Sequence, residues 1–136
     1  MTCSNNNYLE HYLRELREGD AENAYHSLVE AGPAVLPELI EAFNTESCPN
    51  MRATLVKVVW QFGLPETIPF LSQALADNDP QVWKSVLDGL VSMPCNEALA
   101  ALEKARDRQF DKEKDGQIFK EWVEEALGQI RASISM

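Results

Sequence analysis

Apolar residues along this chain return at intervals of three and four, and the whole pattern then begins again thirty-one residues later. The clearest case is one helix written three times. ENAYHSLVEAG closes at Gly32, RATLVKVVWQFG at Gly63 and KSVLDGLVSMP at Pro94. In register, Ala24, Leu55 and Val86 correspond, and so do Leu28, Val59 and Leu90. The two sets lie four residues apart, which places them on one face of a helix. The glycine or proline closing each copy is a helix stopper.

A second helix precedes each of the later copies. AVLPELIEAF (Ala34 to Phe43), ETIPFLSQAL (Glu66 to Leu75) and EALAALEKAR (Glu97 to Arg106) align through Leu36, Ile68 and Leu99, then through Leu39, Leu71 and Leu102. Pro37 and Pro69 fall in the first turn, where a missing N–H costs no internal bond. Asp79 before Pro80 reads as N-cap then first helical residue, and Asp20 is another candidate N-cap.

The ends are looser. NYLEHYLRELREG carries Tyr8, Leu9, Tyr12, Leu13 and Leu16 at amphipathic spacing and stops at Gly19. GQIFKEWVEEALGQI (Gly116 to Ile130) puts Ile118, Trp122 and Leu127 on roughly one stripe, and arrives about five residues late. The delay is RDRQFDKEKDG (Arg106 to Gly116), which either extends the preceding helix or forms a loop. The expectation is eight helices in four antiparallel pairs, with no run alternating as a strand would. One pair has too little to bury its two apolar stripes against, whereas stacked pairs share a continuous core. The pattern predicts an all-α solenoid of about four helix pairs, forming one domain over 1–136.

The W-x2-L-G-x2-Y signature of tetratricopeptide repeats and the T-P-L-H of ankyrin repeats are absent. GPAVLPELIEAF followed by PNMRATLVKVVWQFG, and ETIPFLSQALADNDPQVWKSVLDGL, resemble HEAT repeats, specifically the short bacterial HEAT-like kind associated with phycobilin lyases. Leu71, Leu75, Asp77, Asp79, Val82 and Leu90 fall on that family's pattern, and the resemblance covers nearly the whole chain. It implies a right-handed α–α superhelix with the second helices on the concave side. It also implies an arginine that ties each second helix to the link before it. That arginine is kept as Arg52 but stands as Trp83 in the next unit and Phe119 in the last. An aromatic ring cannot bond the link carbonyls, so other groups must.

Composition narrows the function. Apolar residues make up 45% and charged residues 25%, as in a globular chain, and 12 lysines and arginines face 22 acids for a net charge of −10. That balance argues against nucleic acid, whose binding draws on phosphate neutralisation, and against an anionic membrane. It fits a basic protein partner, and equally a surface kept soluble by charge. No apolar run approaches the ~20 residues of a membrane span. The N-terminus shows no signal peptide. Cys3, Cys48 and Cys95 form no CxxC pair, which suggests reduced thiols and a cytoplasmic location.

The candidate partner-binding residues are Arg52, Val56, Trp60, Trp83, Leu87, Asp88, Phe119, Trp122 and Glu124. Arg52, Val56 and Trp60 run one turn apart beside the core stripe, and Trp83, Leu87 and Val91 repeat that strip. Two readings stand. The strip lies open on the concave face as an apolar interaction patch, or its aromatics fill gaps between neighbouring pairs. Trp122 sits nearer the core stripe. Asp88, Glu121, Glu124 and Glu125 either rim that groove for a cationic partner or form a solvated helix face.

Catalysis finds little support. Cys48 and Cys95 precede helices, where a thiol pKa can fall, but no base accompanies them. His11 and His26 are the only histidines, no HExxH or DxDxDG loop occurs, and no metal or other cofactor is expected. The sequence therefore reads as a non-catalytic protein-binding module. Its sharper form is an immunity or inhibitor protein that neutralises a basic toxin. The alternative is a phycobilin lyase-like or chaperone-type HEAT protein. A HEAT-like DNA glycosylase would need a cationic groove.

Overall fold

Two layers of helices alternate along the chain in the computed structural model, which describes the backbone over 3–135 and the side chains over 10–134. The first layer holds α1 (Cys3–Glu18), α3 (Leu36–Thr45), α5 (Ile68–Ala74) and α7 (Asn96–Ala105). The second holds α2 (Ala21–Ala31), α4 (Pro49–Gln61), α6 (Pro80–Ser92) and α8 (Glu113–Ser135). Each first-layer helix packs on the second-layer helix that follows it. Successive second helices then pack side by side: α2 on α4, α4 on α6, α6 on α8, with the broadest contact between α4 and α6. This is an α–α solenoid of four helix pairs.

Local signals set the boundaries. The Asp20 carboxylate accepts from the Asn23 N–H at 3.1 Å and caps α2, and Asp79 does the same for α6 through the Gln81 N–H at 2.9 Å. Pro37 and Pro69 lie at the second residues of α3 and α5, each behind a short 3-10 turn, Pro33–Val35 and Pro65–Thr67. Gly32 and Gly63 adopt φ of 90° and 65°, a region other residues avoid, and so turn the chain after α2 and α4.

The core is the shared stripe. Leu28, Leu55, Val59, Val86, Leu90 and Leu127 of the second helices meet Leu39, Leu71 and Leu102 of the first, all fully buried. Phe43 of α3 meets Phe70 of α5 edge-on at 5.1 Å, joining two first-layer helices. Tyr12, Leu13 and Leu16 of α1 pack half-buried at one end, and Tyr8 and Leu9 fall outside the described side chains.

The last unit differs from its sequence reading. Its helix begins at Glu113 and not near Gly116, so the charged delay is a link over 106–112 that does not extend α7. Its buried stripe is Phe119, Val123, Ala126, Leu127 and Ile130. Ile118 and Trp122 are exposed, one position off the stripe expected for them, because the late start rotates the helix relative to the repeat.

Candidate protein-binding site

Most of the strip of flanking residues beside the core is covered. Val56, Trp83, Leu87 and Phe119 are all buried, with Trp83 and Phe119 each 2% exposed. The cause lies in the packing: positions beside the core stripe face the next second helix, and that helix covers them. Trp83 meets Phe119 of α8 edge-on at 5.0 Å, and Phe119 meets Phe110 of the last link at 5.1 Å. Trp60 is half-buried against α6, where it lies over Gly89. These aromatics hold neighbouring units together, so the open apolar strip is corrected to an inter-unit seam.

Arg52 is likewise spent inside the array. Its Nη1 donates to the carbonyls of Glu46 and Ser47 at 3.1 and 2.8 Å, and its Nε donates to the Asp77 carboxylate at 3.0 Å. The arginine tie suggested by the resemblance is therefore present at Arg52. One unit on, where Trp83 cannot make it, Arg108 of the last link does. Its Nη1 donates to the Leu75 and Asp77 carbonyls at 2.7 and 3.1 Å. Burial lowers the Arg108 guanidinium pKa from its ordinary value, and the Asp77 charge opposes that fall.

Glu124 is exposed but turned away from the seam: it accepts from Arg106 at 2.8 Å, on the side facing α7. Glu125, the adjacent residue, turns the other way, as a helix requires.

On the second layer a furrow lies open between α6 and α8. Leu87, Asp88 and Val91 form one wall and Trp122, Glu125 and Gln129 the other, around a groove of about 210 Å3. Trp122 is 41% exposed and supplies an apolar shelf. The carboxylates of Asp88 and Glu125 stand on opposite walls. Ile118, one turn before Trp122 on α8, is exposed too and continues the apolar ridge. Of the residues singled out from sequence, Leu87, Asp88 and Trp122 thus meet in one groove, and the other six do not line it.

A cation of the protein lies over the same tryptophan. Lys84 Nζ lies 4.6 Å from the centre of the Trp122 ring and 5.8 Å from that of Trp83. Sequence reasoning placed Val91 on the flanking strip but did not single out Lys84 or Gln129. Their signal was the repeat itself: Lys84 and Asp88 are four residues apart, on the face that a second-layer helix turns away from its pair.

A larger cleft of about 800 Å3 crosses the opposite layer, over Ile40, Phe70, Ala101 and Ala105, with Lys104 and Glu66 at its rim. α5, at seven residues the shortest of the α-helices, supplies Pro69, Phe70, Ser72 and Gln73 to it.

Of the three thiols, those of Cys48 and Cys95 lie among the described side chains and that of Cys3 lies outside them. Cys48 is exposed in its link, and the Cys95 thiol donates to Glu97, helping its backbone N–H hold that carboxyl below the usual range. Among the described residues no three His, Cys, Asp or Glu side chains converge as metal ligands, and no helix is long and apolar enough to cross a membrane. The family model for HEAT repeats matches residues 36–128, from the first residue of α3 into α8. Comparisons with the curated proteins and with the solved structures returned no match.

Proposed function

The chain belongs to the HEAT-repeat family, and from that premise we propose that it is a non-catalytic scaffold whose α6–α8 groove captures a basic protein. Repeat arrays of this kind bind partners on the surface their stacked helices present. One observation carries the reading: an exposed tryptophan, Trp122, stands in a groove with a carboxylate on each wall, Asp88 and Glu125. Tryptophan is enriched among residues that dominate binding energy, and paired carboxylates select cationic neighbours for an apolar anchor.

The net charge of −10 adds a long-range pull on a basic partner and raises its rate of encounter. An inhibitor that neutralises a basic toxin is the form of this role that the acidic charge fits best. The experiment is affinity capture from the native host, repeated with the Asp88→Asn/Glu125→Gln double variant. Recovery of a basic protein whose capture drops with the variant and with added salt supports the reading. Capture of partners indifferent to both changes overturns it.

A further inference from the structure

The protein's own cation lies over the ring of Trp122, the exposed tryptophan of the groove. Lys84 is half-buried on α6, and its ammonium lies 4.6 Å from the Trp122 ring centre on α8. Among the described residues it has no carboxylate within ion-pair reach, and the Trp122 ring is the nearer of the two aromatic faces that hold it. An ammonium over an indole at this distance is a cation–π contact, the strongest such pairing among aromatic side chains. We propose that Lys84 occupies the seat that a lysine or arginine of the partner takes on Trp122, and that binding displaces it. This inference rests on the basic-partner reading of the groove and names its central contact.

Three features favour exchange over a fixed internal contact. Lys84 is held by ring contacts alone, to Trp122 at 4.6 Å and more distantly to Trp83 at 5.8 Å, so a cation of the partner need break no ion pair to replace it. The incoming group gains more than Lys84 has, because Asp88 and Glu125 stand on the groove walls and can pair with it while the ring takes its face. An arginine gains most, since its planar guanidinium stacks on the indole and still donates to a carboxylate. The displaced lysine stem is flexible and returns to water without strain.

A second lysine on the same layer is a built-in control. Lys57 of α4 lies over Tyr25 of α2, 5.1 Å from the ring centre, away from the α6–α8 groove. Replacing either lysine changes the net charge equally, but only Lys84 covers Trp122.

The test uses the full chain and a synthetic peptide of lysines and arginines around one central leucine. A twin peptide with glutamates in place of the cations is the negative control. Affinity is measured by calorimetry for the wild type and for Lys84→Ala, Lys57→Ala and Trp122→Ala. Lys84→Ala is expected to tighten the basic peptide about three-fold relative to Lys57→Ala, the size of an exposed cation–π contact. Trp122→Ala is expected to weaken it about ten-fold. In NMR spectra of the free protein the Lys84 side-chain methylenes are expected upfield, under the Trp122 ring current, and should move downfield as the peptide saturates. Equal effects of the two lysine variants, or Lys84 resonances that stay upfield in the complex, overturn the displaced-lysine seat while leaving a basic partner in place. Failure of the basic peptide to bind wild type and every variant overturns the seat and the basic-partner reading together.

Discussion

Arg108 does for Leu75 what Arg52 does for Ser47: each guanidinium donates to a link carbonyl, at 2.7 and 2.8 Å respectively, and so ties a link to the array. The difference lies in where the arginine comes from. Arg52 reaches back from its own helix, whereas Arg108 reaches across from the next link and leaves position 83 free for a tryptophan. Its guanidinium also stacks 4.2 Å from the centre of Phe110 and 5.1 Å from that of Phe119.

Removing Arg108 therefore orphans two carbonyls and uncovers two rings. Arg108→Ala is expected to lower stability by about 1–3 kcal/mol, the cost of leaving buried polar groups unpaired. Arg108→Lys should recover little, because one ammonium cannot span both carbonyls and stack. Urea unfolding beside Arg14→Ala, at an exposed arginine, checks this. A loss no larger than that control's would show that the tie contributes nothing.

Gly89 sits mid-helix because Trp60 lies against it. A Cβ placed there would come within 2.6 Å of two ring carbons of Trp60. Gly89→Ala should destabilise by about 1–3 kcal/mol through overpacking. With Trp60→Ala in the background the sign should reverse, since alanine is favoured over glycine in a helix by up to about 1 kcal/mol. A double-mutant cycle read by thermal unfolding decides it, and additive effects would refute the contact.

The tryptophans should divide by stability. Trp83→Ala empties a buried site and is expected to cost about 3–5 kcal/mol. Trp122→Ala changes a 41% exposed side chain and should stay within roughly 1 kcal/mol. Denaturant midpoints of the two variants give the answer. Only Trp122 is then a clean probe of binding, since any effect of Trp83→Ala on a partner would be confounded by unfolding.

These tryptophans also mark how far the sequence could be read. The helix pairs, the caps at Asp20 and Asp79 and the stops at Gly32 and Gly63 were legible, because each depends on residues within a turn or two of one another. The fate of Trp83 was not. Period alone separates core-facing from outward positions, but a flank is covered or open according to the neighbouring unit. Trp122 was misplaced for the same reason: its exposure depends on the rotation of a helix whose start the repeat no longer fixes. Arg108 lay in a charged stretch with no periodicity, so its tie to the preceding link became visible only when the two links lay side by side. The candidate site, made from two helices thirty or more residues apart, was legible in Asp88 and Trp122 as separate residues and not as one groove.

Acid should loosen the junction between the first two helix pairs. Burial pushes the Glu46 carboxyl upward, but the Cys48 N–H and the Arg17 guanidinium both bond its charged form, and together they bring its pKa below the usual carboxylate value. A carboxyl whose folded pKa lies below its unfolded one adds stability above the unfolded pKa and loses it as pH falls through the folded pKa. Glu46→Gln cannot ionise and should lose that dependence. The melting-temperature gap between wild type and Glu46→Gln is therefore expected to be largest near neutral pH, and to narrow as pH falls through and below the ordinary carboxylate range. Arg17→Gln should remove only part of it, because the Cys48 N–H remains. Thermal melts of the three proteins across that range test the sign directly. A gap that stayed constant or widened on acidification would mean that the Glu46 charge does not hold this junction.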